Sequence, residues 1–277
     1  MYKDLQKKAN KIRLNTFKAI SNAGGGHFGG SLSESEILTV LYFKEMRIDP
    51  NNPQMEDRDR FVISKGHGGP GLYATLAERG FFPKELLGEL DKNGSRLPKH
   101  VDRLKLPGID TSSGALGQGL SIGVGMAISS KIDSKDVRVY VLMGDGECDE
   151  GQIWEAAMSA SKFQLDNLVG LVDRNFLQVD GTCEEIMPTE PLSKKWEAFG
   201  WHVACVDGHS VSEISKALNN ARKIKGKPCV IIANTVKGKG VSFMEGSCAW
   251  HSGNLSPEQY EIAIEELEGG INANGRK

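Results

Sequence analysis

The sequence predicts an α/β fold: a doubly wound, mostly parallel sheet flanked by helices. Three observations point there. Apolar runs of strand length alternate with helix-period segments along the whole chain. The stretch from Val137 to Gly181 reads as strand, helix, strand, a right-handed crossover between two parallel strands. Its two strand segments are apolar at successive positions, as strands buried on both faces are.

Taken in order, residues 2–21 form an amphipathic helix with Leu5, Ile12, Leu14, Phe17 and Ile20 on its apolar face. The glycine-rich stretch Ala23 to Gly30 breaks it. Ser31 and Ser33 each precede a Glu by three positions, a capping-box pattern that predicts a helix from Glu34 to Phe43. Phe61 to Ser64 is a strand, and Leu72 to Arg79 a helix. Leu120 to Ile132 is a helix rich in small residues (Gly123, Gly125, Ala127, Ser129), suited to burial or a subunit contact. A helix ends at Trp196 to Gly200, and Trp201 to Val206 is a strand. Ser210 caps a helix reaching about Lys225, Cys229 to Val236 is a buried strand, and Ser256-Pro257 opens a last helix. No linker or repeat divides the chain, so residues 1–268 are expected to form one domain, with 269–277 a flexible tail.

Composition narrows the function classes. Of 277 residues, 25% are charged and 39% hydrophobic, and the net charge is −2. Nothing in that balance, and no basic stripe, points to nucleic acid or an anionic membrane. The charged N-terminus lacks a signal-peptide core, and no run approaches the ~20 apolar residues of a membrane span. Five cysteines without a C-x-x-C pair indicate neither a disulfide framework nor zinc, and read as reduced thiols in a cytoplasmic protein.

The polar residues of the central unit follow from its geometry. Asp145, in the turn Gly144-Asp145-Gly146, and Asn175 stand at the carboxyl ends of the two strands. Adjacent strands lie about 4.8 Å apart, so both side chains reach one point at the edge where parallel sheets take ligands. The following helix presents its N-terminus there, which favours a phosphate. An Asp beside a phosphate needs a cation between them. Asp, Asn and a backbone carbonyl are hard oxygen ligands suited to Mg²⁺ or Ca²⁺. The competing reading of Asp145 alone is a helix cap.

Six histidines are present, four of them (His27, His67, His100, His251) in glycine- or proline-rich turns. Loops on a rigid scaffold are where sites collect. Imidazoles there can donate to phosphate or sugar oxygens and move protons near neutral pH. His202, within a strand, and His209, near a turn, read as structural. No P-loop G-K-[ST], no G-x-G-x-x-G after the first strand and no zinc-ligand spacing occurs.

The G-D-G turn followed by Asn175 resembles the diphosphate-binding motif of thiamine-diphosphate enzymes. With Ala23 to Ser31, Ser64 to His67, Leu97 to His100, Gly114 to Gly119, Lys237 to Gly240 and Trp250-His251, in that order, the chain resembles transketolase over nearly its whole length. The match covers about the first half of a full-length transketolase.

The resemblance implies a metal (Mg²⁺, or Ca²⁺ or Mn²⁺) held by Asp145, Asn175 and the Leu177 carbonyl. It implies thiamine diphosphate held by His67, Gly114, Leu116, Gly146, Asn175, Lys237 and His251. His27, His100 and His251 would face the substrate. Glu150 and Glu155 match interface glutamates, or are simply charges at a helix N-terminus.

The implied chemistry is transfer of a two-carbon ketol unit from a ketose phosphate to an aldose phosphate, as in the pentose phosphate pathway, with the cofactor as electron sink. The family's activating glutamate belongs to the half missing here. A C-terminal, pyrimidine-binding partner subunit is therefore expected, in an α2β2 heterotetramer. The chain departs from relatives at Gly30 and Cys248, positions that bear on donor specificity. The rival readings are a subunit of a deoxyxylulose-phosphate synthase or 2-oxoacid dehydrogenase, and a non-catalytic cofactor-binding subunit.

Overall fold

The computed structural model describes residues 2–273, and five strands form its centre: β1 (Arg60–Ile63), β2 (Val139–Gly144), β3 (Leu168–Arg174), β4 (His202–Asp207) and β5 (Cys229–Asn234). Their order across the sheet is β1-β2-β3-β5-β4. Every pairing between them is parallel, so a sheet expected to be mostly parallel is wholly so among the described residues.

Alternation along each strand sends side chains into two cores. Val139, Val141 and Met143 of β2 meet Val124 and Ala127 of helix Gln118–Ile132 and Ile153 and Ala157 of helix Gly151–Lys162. Tyr140 and Leu142 point the other way. There they join Ile12 and Phe17 of helix Tyr2–Asn22, Leu72 of helix Gly69–Arg79 and Ile214 of helix Val211–Ala221. Helices on both faces explain why the central strands β2, β3 and β5 carry apolar residues at successive positions. The predicted apolar face of the first helix (Leu5, Ile12, Leu14, Phe17, Ile20) is buried throughout.

The crossover predicted over Val137–Gly181 is present: β2, helix Gly151–Lys162 and β3, with Gly144 opposite Asp173 in the register. The helix of small residues serves two purposes. Its Gly123 lies where a Cβ would come within 2.5 Å of Val141, so close packing on β2 needs glycine, whereas Gly125 and Ser129 face outward and are exposed.

Several boundaries differ from expectation. Ser31 and Ser33 cap nothing. Helix Phe28–Ser33 begins before them, and another, Ser35–Val40, follows after one residue and runs on into a π-helical turn, Leu41–Glu45. Gly29 does not break the chain, because its missing Cβ is needed for closeness: one would lie 2.8 Å from Lys237 Cγ and from the Trp250 carbonyl. The two hydroxyls bond across the fold instead, Ser31 Oγ donating to the His67 carbonyl (3.2 Å) and Ser33 Oγ to Asp173 Oδ2 (2.6 Å).

Ser210 does cap its helix, accepting from the Glu213 N–H. Glu213 itself turns to the Asp207 N–H (3.0 Å), and the helix ends at Ala221 rather than Lys225. Ser256 and Gln259 form a reciprocal cap at the last helix, Pro257–Ala273. Residues 269–273 thus belong to a helix rather than a tail, and 274–277 lie outside the described residues.

Candidate functional site

The carboxyl edge of the sheet carries a cavity of about 100 Å³. Loops leaving β1, β2, β3 and β5 line it. Lys65 and His67 come from the first, Gly144, Asp145, Gly146 and Glu147 from the second, Asn175, Leu177, Gln178 and Val179 from the third, and Lys237 from the last. Gly30, Leu116 and His251 close the sides. Every residue expected to bind metal or diphosphate lines this cavity except Gly114, whose backbone packs on Gly66: a Cβ added to Gly66 would come within 2.8 Å of the Gly114 nitrogen.

Asp145 is buried, and both its oxygens face N–H groups: Oδ1 accepts from Gly146 (2.9 Å) and Oδ2 from Phe176 (2.6 Å). Burial pushes its carboxyl up to about 6, against the pull of those two donors. Asn175 Oδ1 accepts from the Leu177 N–H (3.2 Å), and Leu177 pairs with Thr182 in a short antiparallel bridge. Between them Phe176 holds φ at +66°, a conformation a bulky residue rarely adopts. That turn carries Asn175 and Leu177 to the same cavity and leaves the Phe176 ring half outside.

The four loop histidines converge. The His27 ring centroid lies 5.7 Å from His67, 5.9 Å from His100 and 5.4 Å from His251, and His67 lies 5.2 Å from His251. A two-residue bridge between Gly26 and Gly253, with both N–H···O bonds at 3.0 Å, ties the loops of His27 and His251 together. His27 Nδ1 is buried without a partner.

Three of these imidazoles, those of His27, His67 and His251, are held below the usual range. Burial, and then the charge on Lys65, keep His67 well below the usual range. Burial followed by Lys237, whose Nζ is 3.2 Å from His251 Nδ1, brings His251 down to about 4. His27 is lowered by burial and by His100 beside it. Lys237 is itself lowered, chiefly by burial, and its Nζ donates to the Gln178 carbonyl (2.9 Å).

His209 is structural, as expected. Its Nδ1 meets Glu36 Oε2 (3.1 Å) and its Nε2 accepts the Val236 N–H (2.9 Å). His202 lies half-buried in β4. Glu150 and Glu155 are exposed at the start of helix Gly151–Lys162, away from the cavity lining. Among the described residues no group of three or more His, Cys, Asp and Glu is arranged to hold a metal ion. The expected set, with one carboxylate, one amide and one carbonyl, is of another kind.

Sequence reasoning missed the buried charged residues in the cavity wall and behind it. Lys65, 1% exposed, donates to the Gly30 carbonyl (2.7 Å) and to Asp173, and lies 2.9 Å from Glu34 Oε2. Glu147 is buried too, accepting from Ser64 Oγ, from the Gly117 N–H (2.9 Å) and from the Gly144 N–H (3.0 Å). It fixes the 114–119 loop against the G-D-G turn. A pattern of charges directly after strands was the available signal.

Fold and site together define an α/β domain with a cavity at the carboxyl edge of a parallel sheet, where such sheets take phosphorylated ligands. Residues 5–274 match the family model described as the thiamine diphosphate binding domain of transketolase. The chain is 52% identical over 265 residues to the 6-deoxy-6-sulfo-D-fructose transketolase subunit SqwG of Clostridium sp. (strain MSTE9), covering 96% of each. It is 46% identical to an apulose-4-phosphate transketolase subunit from Phocaeicola vulgatus, covering 95% of this chain and 93% of that one.

Among solved structures, transketolase from Campylobacter jejuni superposes with a TM-score of 0.89 at 31% identity, covering 98% of this chain and 45% of that one. The chain thus spans somewhat less than half the length of that enzyme, yet nearly all of the relatives described as subunits. This chain belongs to the transketolase family, as its N-terminal, thiamine diphosphate-binding part.

Proposed function

We propose that this chain is the diphosphate-binding subunit of a two-subunit transketolase. With a partner carrying the pyrimidine-binding half it transfers a two-carbon ketol unit from a ketose phosphate to an aldose phosphate. The carrying observation is the subunit-length match to relatives named as transketolase subunits, whose length it covers at 96% and 93%. An α2β2 assembly in the cytoplasm is the form we infer. Transketolase relatives support this reading over a deoxyxylulose-phosphate synthase or a 2-oxoacid dehydrogenase.

The residues fit a diphosphate with a divalent ion. Asp145, Asn175 and the Leu177 carbonyl are hard oxygen donors, which suit Mg²⁺, Ca²⁺ or Mn²⁺. A buried carboxyl raised to about 6 is one that a neighbouring cation would return to its ionised form. Lys237 and His67 supply donors for diphosphate oxygens, with Gly146, Leu116 and the Gly114 backbone beside the cofactor. The buried His27 Nδ1 lacks any partner, as an atom reserved for a ligand does.

When bound, thiamine diphosphate supplies the electron sink for carbon–carbon cleavage. The chain's own part is binding, orientation and proton handling. His27 stands between His100 and His251, its ring centroid 5.9 Å from the one and 5.4 Å from the other, a spacing suited to the hydroxyls of one sugar. Neutral rings at His27 and His251 accept a proton from a sugar hydroxyl and return it. The Lys237 ammonium beside His251 Nδ1 discourages protonation at that atom, leaving Nε2 as the site of transfer.

The test is turnover with thiamine diphosphate, Mg²⁺, xylulose 5-phosphate and ribose 5-phosphate. The chain alone should be inactive, and activity should appear once the partner is added. Turnover by the lone polypeptide would refute the split-enzyme reading.

A further inference from the structure

Asp173 is fully buried, yet it stands at the end of β3 rather than in the core, and its carboxylate joins four segments. Lys65, from the loop after β1, donates to Oδ2. Ser33 Oγ, from helix Phe28–Ser33, donates to the same oxygen at 2.6 Å. Thr235 Oγ1, from the end of β5, donates to Oδ1. The Asp173 carbonyl also accepts the Asp145 N–H at 3.3 Å. Its counter-charge in the cluster is the Lys65 ammonium.

The spacing is what gives this cluster meaning. Lys65 stands two residues before His67, Asp173 two before Asn175, and Thr235 two before Lys237. Lys65, Asp173 and Thr235 therefore each stand at the base of a loop whose tip lines the cavity. One carboxylate sets the mutual distances of three loops and, through its carbonyl, the position of Asp145. Lys65 is also shared with Glu34, whose carboxyl burial pushes up to about 8. With Glu34 neutral, the buried set of Lys65 and Asp173 is balanced in charge.

We propose that Asp173 is a positioning residue for cofactor binding: through Lys65, Ser33 and Thr235 it holds His67, Asn175 and Lys237 at the separation that receives the diphosphate and its metal. This rests on the cofactor reading above. A residue with a purely structural role would, when weakened, lower stability without changing affinity in the protein that remains folded.

The test uses the full chain and calorimetric titration with thiamine diphosphate in Mg²⁺, on protein shown folded by circular dichroism at the assay temperature. Thr235→Val and Ser33→Ala each remove one hydrogen bond to a buried charged group and should weaken binding about tenfold. Thr235→Ser keeps the hydroxyl and should bind within about twofold of wild type. Asp173→Asn should weaken binding further, and if it fails to fold the two hydroxyl variants decide. Folded Thr235→Val and Ser33→Ala proteins with wild-type affinity would overturn the proposal while leaving the cofactor reading intact. A Thr235→Ser protein as defective as Thr235→Val would overturn it as well. Wild-type protein that binds no cofactor would sink the cofactor reading and this proposal with it.

Discussion

Glu36 joins three parts of the chain, and removing its charge should weaken the protein in a way that depends on pH. The side chain is 1% exposed, accepts from Gln6 Nε2 (2.9 Å) and His209 Nδ1 (3.1 Å), and pairs with the Arg13 guanidinium. Burial alone would raise its carboxyl. Arg13 and His209 outweigh burial and bring it down to about 2, against an ordinary value of 4.5. A carboxyl lowered on folding contributes stability above the unfolded value, and that contribution is lost as pH falls through the folded one. The difference is worth about 3 kcal/mol at pH 7, and about 2 kcal/mol of that is gone by pH 3.

Glu36→Gln removes the titrating group and leaves Arg13 buried without its counter-charge, a change that typically costs ~3–5 kcal/mol. Urea unfolding of both proteins at pH 7 and pH 3 measures the effect. The gap between wild type and variant should narrow by about 2 kcal/mol at the lower pH. An equal gap at both pH values would refute the assignment of Glu36 as an ionised, buried partner of Arg13.

Two further outcomes are expected. Lys237→Met removes the charge 3.2 Å from His251 Nδ1, so the His251 titration, followed by NMR of its ring protons, should move up from about 4 toward the ordinary imidazole value; no movement would mean that burial alone sets it. Gly119→Ala places a Cβ 2.4 Å from Ser64 Oγ and 2.8 Å from Ser64 Cα, so helix Gln118–Ile132 has to shift. It should destabilise the chain by about 1–3 kcal/mol in denaturant unfolding, and a neutral effect would contradict the close seating of that helix on β1.

The central crossover was legible because its period changes twice, from β-branched runs to helical spacing and back, with a glycine turn at the first boundary. Asp145 and Asn175 were legible for the same reason: strand ends can be read from a sequence, and parallel neighbours bring them together. The histidines stood out through their glycine-rich surroundings, and the Gly26–Gly253 bridge that joins two of those loops, 227 positions apart, had no local signal.

Buried charge was the least legible feature. Lys65 sits in a glycine-rich loop, Asp173 ends an apolar run, and Glu34 occupies the third position after a serine, so each had a conventional surface or capping explanation. Only the fold shows that Lys65, Glu34 and Asp173 meet in one buried cluster at the cavity wall. The early helix Phe28–Ser33 was hidden by its own glycines, of which Gly29 serves close approach to Lys237 and Trp250, and Gly30 to His67, rather than a turn.

The most direct measurement of the account is cofactor affinity in the presence and absence of Mg²⁺, compared between wild type and Asp145→Ala. Wild-type protein should bind thiamine diphosphate in a strictly Mg²⁺-dependent manner, and the variant should lose that dependence with at least about a tenfold fall in affinity, or about 1.4 kcal/mol. Undiminished binding by Asp145→Ala, or wild-type binding indifferent to the metal, would contradict it.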